Sequence, residues 1–283
     1  MSAQIIDGKA IAQELKTQLK AEVETIRSQG KRVPCLAVIL VGNDPASEVY
    51  VGHKKKACAE VGIESRSLTL PADTTQEDLD EHLRALNDDH GVDGILLQLP
   101  LPAHLSSQRA IDLISPAKDV DGLTPISQGL LVWRRTGLVS CTPLGVMELI
   151  RRTGIKLSGS RAVVIGRSVL VGAPMATLLG NAGATVTAIN SRTVDPAAIT
   201  RQADLLVVAA GVKRLVGGDW IKPGAVVIDV GIHRDGQRLC GDVNFEEASK
   251  VASWITPVPG GVGPMTIVSL LRNCVSAYQA RTI

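Results

Sequence analysis

A tyrosine and a lysine lie one turn apart in a segment whose pattern predicts a helix. Tyr50 and Lys54 are therefore expected on the same helix face. A ring and an ammonium group side by side can bind a flat heteroaromatic ligand and polarise an adjacent nitrogen atom or water molecule. Because Lys55 and Lys56 continue the run, a solvated basic face is the alternative interpretation.

Two further polar residues are candidates for ligand contacts. Gln98 lies near the carboxyl end of an apolar, strand-like run, and ligands of open α/β sheets bind outside those strand ends. Asp121 precedes Gly122 in a segment typical of a turn, and its carboxylate can accept hydrogen bonds from an amidine-like pair of N–H groups. The alternative for Gln98 is a structural side chain whose hydrogen bonds are made with backbone groups. The alternative for Asp121 is an ordinary solvated turn.

A glycine-containing loop between a strand and a helix indicates a second site. The apolar run 161–165 leads into Gly166, Ser168 and Gly172. Their spacing is G-x-S-x-x-x-G, and an apolar helix follows. This order of elements is typical of dinucleotide-binding units, in which N–H groups of the helix N-terminus face the phosphates. An ordinary strand–helix turn in a flavodoxin-like sheet is the alternative.

The end of the next strand favours NADP over NAD. NAD sites usually have a carboxylate there that binds the ribose 2′-hydroxyl, but the run 184–189 ends without one. Asn190, Ser191 and Arg192 follow it, and Arg167 supplies a further cation from the glycine-containing loop. Since arginine binds phosphate through charge-assisted bidentate hydrogen bonds, the set suits a 2′-phosphate. Two solvated surface arginines are the alternative.

A segment rich in glycine and proline, 256–264, precedes the last predicted helix. It includes Pro259 and Gly260, and its composition excludes regular secondary structure. A loop in this position can cover a ligand. A plain turn is the alternative.

Alternating strands and helices must position these residues. Continuous apolar runs that alternate with helical patterns are typical of parallel sheets covered on both faces. A break near residues 120–140 interrupts the alternation, so the sequence predicts an α/β protein of two α/β units. The strand-like runs are 35–41, 67–70, 94–99, 161–165, 184–189, 204–209 and 225–230.

Length, charge and cysteine content limit the class of protein. The 283 residues suggest about two domains, and 30 basic against 28 acidic residues do not indicate a nucleic-acid-binding surface. No apolar run approaches the roughly 20 residues of a membrane span, and the start lacks the apolar core of a signal peptide. Five widely spaced cysteines fit neither a disulfide framework nor a zinc site. We expect a soluble, cytoplasmic protein without a metal, nucleic-acid or membrane partner.

The ordered set of motifs closely resembles the FolD family, the bifunctional methylenetetrahydrofolate dehydrogenase/methenyltetrahydrofolate cyclohydrolases. The resemblance covers nearly the whole chain, and the combination of motifs is specific where each alone is not. The segments that carry it are Val41–Ser47 with Tyr50 and Lys54, Gly94–Pro102, Lys118–Gly122, Gly166–Pro174, Gly241–Val243 and Pro257–Thr266.

The resemblance implies NADP-dependent oxidation of 5,10-methylenetetrahydrofolate, then hydrolysis of the methenyl product to 10-formyltetrahydrofolate. These reactions belong to one-carbon metabolism and supply purine biosynthesis. The resemblance also implies a catalytic domain of residues 1–138, completed by a C-terminal helix at 264–283. A Rossmann-like NADP-binding domain of residues 139–263, a cleft between the domains and a homodimer complete the expected architecture.

Residue roles follow from the same resemblance. Lys54 would activate water or shuttle a proton in the cyclohydrolase step, and Gln98 would hold and tune it. Tyr50 would stack on the folate, and Asp121 would bind the pterin. The implied NADP contacts are Gly166, Arg167, Ser168, Ser191 and Ile232, to which the charge argument adds Arg192; the implied folate-side loop contains Pro259 and Gly260.

One departure from the family pattern concerns the cofactor. Asn190 occupies a position where many relatives have histidine. This difference affects the selectivity for NADP over NAD. No proposed catalytic group is missing, so both activities are expected. Two other functions remain open: an NADP-dependent dehydrogenase of another small substrate, and a catalytically silent nucleotide-binding module.

Overall fold

The computed structural model describes residues 2–282, which form two compact units. The N-terminal unit contains residues 14–141 and 267–282, and the C-terminal unit contains residues 2–13 and 142–266.

Strands and helices alternate along most of the described chain. The strands are β1 (Gln4–Ile5), β2 (Cys35–Val41), β3 (Glu64–Leu70), β4 (Gly94–Leu97), β5 (Arg161–Ile165), β6 (Thr185–Ile189), β7 (Leu205–Val208), β8 (Val226–Asp229), β9 (His233–Asp235), β10 (Arg238–Cys240) and β11 (Trp254–Ile255). The helices are α1 (Gly8–Ser28), α2 (Pro45–Val61), α3 (Gln76–Asp88), α4 (Ser107–Leu113), α5 (Pro125–Val132), α6 (Cys141–Arg152), α7 (Gly172–Asn181), α8 (Pro196–Thr200), α9 (Phe245–Ala248) and α10 (Val262–Thr282), with a 3₁₀ turn at Gly218–Trp220.

The sheet of the N-terminal unit is parallel, in the order β3-β2-β4. Every residue of the central strand β2 is buried, because alternate side chains enter two separate apolar clusters. Leu36 and Val38 pack with apolar residues of α1, α2 and α10, whereas Ala37 and Ile39 pack with residues of α3 and α4. A strand covered on both faces is apolar throughout, which explains the continuous run at 35–41.

The large sheet of the C-terminal unit is also parallel, in the order β1-β11-β8-β7-β5-β6. Strand β6 lies on one side of β5 in the sheet. The chain then crosses to the other side of β5, where it adds β7, β8 and β11 in the order β7-β8-β11. This reversal creates a crevice beyond the carboxyl ends of β5 and β7, where ligands of doubly wound sheets bind. The two parallel sheets confirm the predicted α/β class, and the sheet of the C-terminal unit is Rossmann-like.

Helix α5 lies in the stretch that the sequence pattern predicted as a break. The Thr124 hydroxyl accepts a hydrogen bond from the Ser127 N–H at 3.1 Å, and Pro125 occupies the first turn. Both residues are typical of helix starts as well as of turns. The residues that suggested a break in the alternation therefore form the start of a short helix.

Some features are absent from the described part of the chain. Among residues 2–282, no helix combines the length and apolar character needed to cross a membrane. Within the same range, no group of His, Cys, Asp and Glu side chains is arranged to hold a metal ion. The cysteines at 35, 58, 141, 240 and 274 are free thiols.

Candidate active site

Lys54 and Gln98 are in direct contact. The Lys54 Nζ donates a hydrogen bond to the Gln98 Oε1 at 2.9 Å, and the Gln98 Nε2 donates to the Leu99 carbonyl at 2.6 Å. Because its amide nitrogen is engaged by the backbone, Gln98 presents its carbonyl oxygen to the lysine. The structure thus brings together two residues that the sequence places 44 positions apart.

The surroundings of Lys54 differ from those of the neighbouring lysines. Lys54 is partly buried, whereas Lys55 and Lys56 are exposed. Burial lowers the pKa of Lys54, and the negative charge of Asp121 acts against this shift. A lysine with a lowered pKa has a larger neutral fraction near neutral pH, which is what a general base needs. The solvated-face interpretation therefore applies to Lys55 and Lys56 only.

Asp121 is the carboxylate of this cluster. Burial raises its pKa, while the positive charge of Lys54 and a side-chain hydrogen bond with Cys141 act in the opposite direction. Burial thus disfavours the charged forms of both Lys54 and Asp121, while their mutual attraction favours them. The pKa of Lys54 is lowered and that of Asp121 is raised, so the two pKa values lie closer together than those of the free side chains.

The turn that carries Asp121 is held by its neighbours in sequence. The Asp119 carboxylate accepts hydrogen bonds from the Leu123 N–H at 3.1 Å and the Thr124 N–H at 2.8 Å. Lys118 donates to three backbone carbonyls at the end of α3 and just beyond it, those of Leu86, Asn87 and Asp89, at 2.7–2.9 Å. Lys118 and Asp119 therefore hold the turn in place, and Asp121 lies close enough to Lys54 for their charges to act on each other.

Helix α10 supports the same turn from the far end of the sequence. The Asn273 Nδ2 donates hydrogen bonds to the carbonyls of Val120 and Val139, both at 2.8 Å. The Cys141 thiol donates to the Val120 carbonyl at 3.1 Å. Neither Asn273 nor Cys141 belongs to a local sequence pattern that marks a site, so neither could be predicted from the sequence.

Tyr50 completes the face of α2 that carries Lys54. The helix begins at Asp44, whose carboxylate accepts from the Ser47 N–H at 2.8 Å, and Pro45 follows in the first turn. This start places Tyr50 one turn before Lys54. The tyrosine is 47% exposed, so a flat ligand has access to its ring.

The glycine-containing loop requires glycine for steric reasons. Gly166 has φ +111°, and a Cβ atom there would collide with the Ala209 carbonyl. A Cβ at Gly172, the first residue of α7, would collide with the Gly166 carbonyl. Ser168 accepts a hydrogen bond from the Val171 N–H at 3.2 Å through its hydroxyl. The turn between β5 and α7 is therefore tight, as a backbone that approaches phosphates must be.

The predicted 2′-phosphate residues lie at the same edge. The Gly166 N–H donates to the Ile189 carbonyl at 2.9 Å, which joins the ends of β5 and β6. Beyond β6, the Asn190 Oδ1 accepts from the Arg192 N–H at 3.0 Å. Ser191 and Arg192 are exposed on this turn, and Arg167 is exposed on the adjacent loop. The donors fit a dinucleotide with a 2′-phosphate.

The remaining predicted residues belong to the C-terminal unit. Ile232 follows β8 and is 51% exposed. Gly260 has φ +101°, and its carbonyl accepts from the Lys9 N–H at 2.9 Å. Pro259 is exposed on the same loop. The roles of these three residues toward cofactor and folate stay predictions.

Comparisons with known proteins bear on the family. The family model described as the tetrahydrofolate dehydrogenase/cyclohydrolase catalytic domain matches residues 6–121, and that of the NAD(P)-binding domain of the same enzymes matches residues 140–282. The bifunctional protein FolD of Oleidesulfovibrio alaskensis is 52% identical over 281 residues, with 98% of each chain covered.

Solved structures agree with these matches. The bifunctional enzyme FolD from Campylobacter jejuni is 48% identical with a TM-score of 0.97, covering 99% of this chain and 100% of that one. The methylenetetrahydrofolate dehydrogenase-cyclohydrolase of Trypanosoma brucei, complexed with NADP and an inhibitor, is 43% identical with a TM-score of 0.95 and 99% coverage of both chains. The chain therefore belongs to the tetrahydrofolate dehydrogenase/cyclohydrolase family, which confirms the FolD resemblance of its motifs.

Proposed function

We propose that this chain catalyses both reactions of its family, with the cyclohydrolase chemistry centred on Lys54. It oxidises 5,10-methylenetetrahydrofolate with NADP and hydrolyses the resulting methenyl cation to 10-formyltetrahydrofolate. Family membership and the FolD relatives support the pair of activities. The observation that carries the assignment of residues is the contact between Lys54 and Gln98 beside Asp121.

Lys54 is the proposed proton carrier of the hydrolysis. Its neutral Nζ takes a proton from water as the oxygen bonds to the methenyl carbon. It returns that proton to the ring nitrogen as the carbon–nitrogen bond breaks, and the proton of the new hydroxyl group leaves as the formyl group forms. The net reaction consumes one water and releases one proton. Gln98 keeps the Nζ in place through its Oε1.

Tyr50 and Asp121 are the proposed folate contacts. The exposed ring of Tyr50 stacks on the pterin, and the carboxylate of Asp121 accepts hydrogen bonds from the amidine-like N–H pair of that ring. Pro259 and Gly260 are proposed to contact the folate from their loop. Hydride transfer needs orientation more than acid or base catalysis, so these contacts also serve the first reaction.

The edge formed by the ends of β5 and β6 is the proposed NADP site. When bound there, NADP accepts the hydride of the methylene carbon. Gly166 and Ser168 hold the pyrophosphate from the tight turn between β5 and α7. Arg167, Ser191 and Arg192 bind the 2′-phosphate, and Ile232 contacts the cofactor from the segment after β8.

Assembly and location complete the proposal. The family resemblance supports a homodimer, and free cysteines support a reducing compartment such as the cytoplasm. We also retain the predicted domain limits, with a catalytic domain of residues 1–138 plus 264–283 and a cofactor domain of residues 139–263. The ligands are tetrahydrofolate derivatives and NADP, without nucleic acid or membrane.

Asp121→Asn is expected to shift the pH profile of methenyl hydrolysis to lower pH. The charge of Asp121 raises the pKa of Lys54, so the variant lysine loses its proton at a lower pH. Because the neutral amine is the proposed base, kcat should begin to rise at lower pH than in the wild type. The measurement is kcat across the neutral and alkaline range, corrected for hydrolysis by buffer. An unmoved profile, or one displaced to higher pH, would contradict the assignment of Lys54 as base.

A further inference from the structure

Two buried carboxylates of the C-terminal unit lie outside the site described above. Asp229 ends β8 and is 4% exposed, and Asp242 follows β10 and is 0% exposed. Burial of a charged group is costly unless hydrogen bonds compensate it. Their contacts therefore indicate what these residues hold in place.

The Asp229 carboxylate binds backbone N–H groups of two segments. It accepts from the Gly231 N–H at 3.0 Å, the Asp242 N–H at 3.0 Å and the Val243 N–H at 2.9 Å. Burial raises the pKa of Asp229 to about 6, although the Val243 and Asp242 N–H groups act to lower it. At neutral pH the group is thus mostly ionised and accepts all of these bonds. Asp229 joins the segment after β8 to the segment after β10.

The Asp242 carboxylate extends this connection to a third segment. Its Oδ2 accepts from the Ala210 N–H at 2.6 Å and the Gly211 N–H at 2.9 Å, just beyond β7. Its Oδ1 lies 2.7 Å from the His233 Nε2. Since an ionised carboxylate only accepts, the histidine donates through Nε2. Asp242 therefore fixes the backbone after β7 and the start of β9 at once.

The space around both carboxylates is filled by backbone. A Cβ atom at Gly231 would collide with the Asp242 carboxylate, and one at Gly241 would collide with the Asp229 carboxylate. Neither carboxylate can approach the main chain this closely unless these positions are glycine. The two glycines therefore belong to the same arrangement as the two acids.

These segments border the crevice of the doubly wound sheet. The carbonyl of Ala209 packs so closely on Gly166 that a side chain would not fit between them. A dinucleotide crosses such a crevice, with one half on each side of the point where strand order reverses. Because Ser191 and Arg192 place the 2′-phosphate half at β6, the nicotinamide half lies on the side of β7 and β8.

We propose that Asp242 and His233 are positioning residues for the nicotinamide half of NADP. Asp242 holds the backbone of Ala210 and Gly211 directly. Its contact with His233 also holds the segment that carries the neighbouring Ile232. The surface that receives the nicotinamide is thereby formed before the cofactor binds. This inference rests on the proposed NADP site and adds residues that do not touch the cofactor themselves.

His233 offers the cleaner test, because it is only partly buried and its replacement leaves fewer buried groups unpaired than replacement of Asp242. His233→Leu removes the donor to Asp242, and His233→Gln restores an N–H donor on a side chain of similar reach. The Leu variant is expected to bind NADP⁺ about tenfold more weakly, because the cofactor must then order the segments that this hydrogen bond holds in the free protein. The Gln variant should recover most of the affinity. Arg234→Gln, on the exposed neighbour of the same strand, is the matched control with wild-type affinity.

The measurements are calorimetric titration with NADP⁺ and hydrogen exchange of the Ala210 and Gly211 amides in the free protein. Faster exchange of those amides in the Leu variant, together with weaker binding, supports the proposal. Wild-type NADP⁺ affinity and unchanged exchange in the Leu variant would overturn it. Equal weakening by Leu and Gln would also overturn it, since it would show that the donor is irrelevant. Failure of the wild-type protein to bind NADP⁺ would instead reject the NADP site itself.

Discussion

Lys54→Met should reduce methenyl hydrolysis to the rate in buffer alone. Methionine has a similar length but neither a proton to give nor a lone pair that accepts one at neutral pH. General acid–base catalysis contributes about 10²- to 10⁴-fold, and Lys54 is the proposed carrier of the proton that passes from water to the ring nitrogen. The loss should appear in kcat, because Tyr50 and Asp121 still bind the folate. The measurement is the decay of the methenyl chromophore without cofactor.

Lys55→Met provides the matched control for this experiment. The two lysines are adjacent on α2, but Lys55 is exposed whereas Lys54 contacts Gln98. The control should hydrolyse the methenyl substrate at the wild-type rate, and both variants should bind NADP⁺ as the wild type does. Hydrolysis by Lys54→Met well above the buffer rate would remove Lys54 from the proposed role. Equal losses of hydrolysis rate in both variants would show that the positive charge of the helix matters and that the position of Lys54 does not.

The double variant Ser191→Asp/Arg192→Ala should reverse the preference for NADP⁺ over NAD⁺. It removes a cation and places a carboxylate where it repels the 2′-phosphate but accepts a hydrogen bond from a free 2′-hydroxyl. Loss of a charge-assisted hydrogen bond alone costs about ten- to hundredfold in affinity. We therefore expect KM for NADP⁺ to rise by at least that factor, and KM for NAD⁺ to stay constant or fall.

Lys156→Ala is the control for nonspecific charge effects. Lys156 is exposed and precedes β5, so it lies toward the amino ends of the strands and away from the glycine-containing loop. Its loss should leave both KM values unchanged. If the double variant retains the wild-type preference for NADP⁺, the 2′-phosphate does not lie at the end of β6. Arg167 alone would then be the remaining candidate.

Local patterns were sufficient to predict the elements that carry several of the candidate residues. The apolar run of β2 identified a strand covered on both faces, and the following Asp44-Pro45 started the helix that carries Lys54. Gln98 could be predicted because strand ends in parallel sheets bind ligands. Periodicity and capping act over a few residues, so they can be recognised in a single sequence.

Supporting contacts between distant residues could not be predicted in this way. Asn273 binds the carbonyl of Val120 across 153 positions, and no local pattern links the two. The Asp242 carboxylate binds Ala210 from a segment whose glycine and aspartate had no assigned role. Such contacts depend on the packing of whole elements. They hold the candidate site in place, whereas the residues proposed to contact ligands follow recognisable local patterns.

The most direct test of the account is one assay of the purified protein with 5,10-methylenetetrahydrofolate, comparing NADP⁺ with NAD⁺. Formation of reduced nicotinamide, faster with NADP⁺, followed by accumulation of 10-formyltetrahydrofolate is the predicted result. It would also distinguish this function from a dehydrogenase of another substrate and from a silent nucleotide-binding module. The absence of reduced nicotinamide with either cofactor, under conditions in which a FolD relative is active, would contradict the central claim.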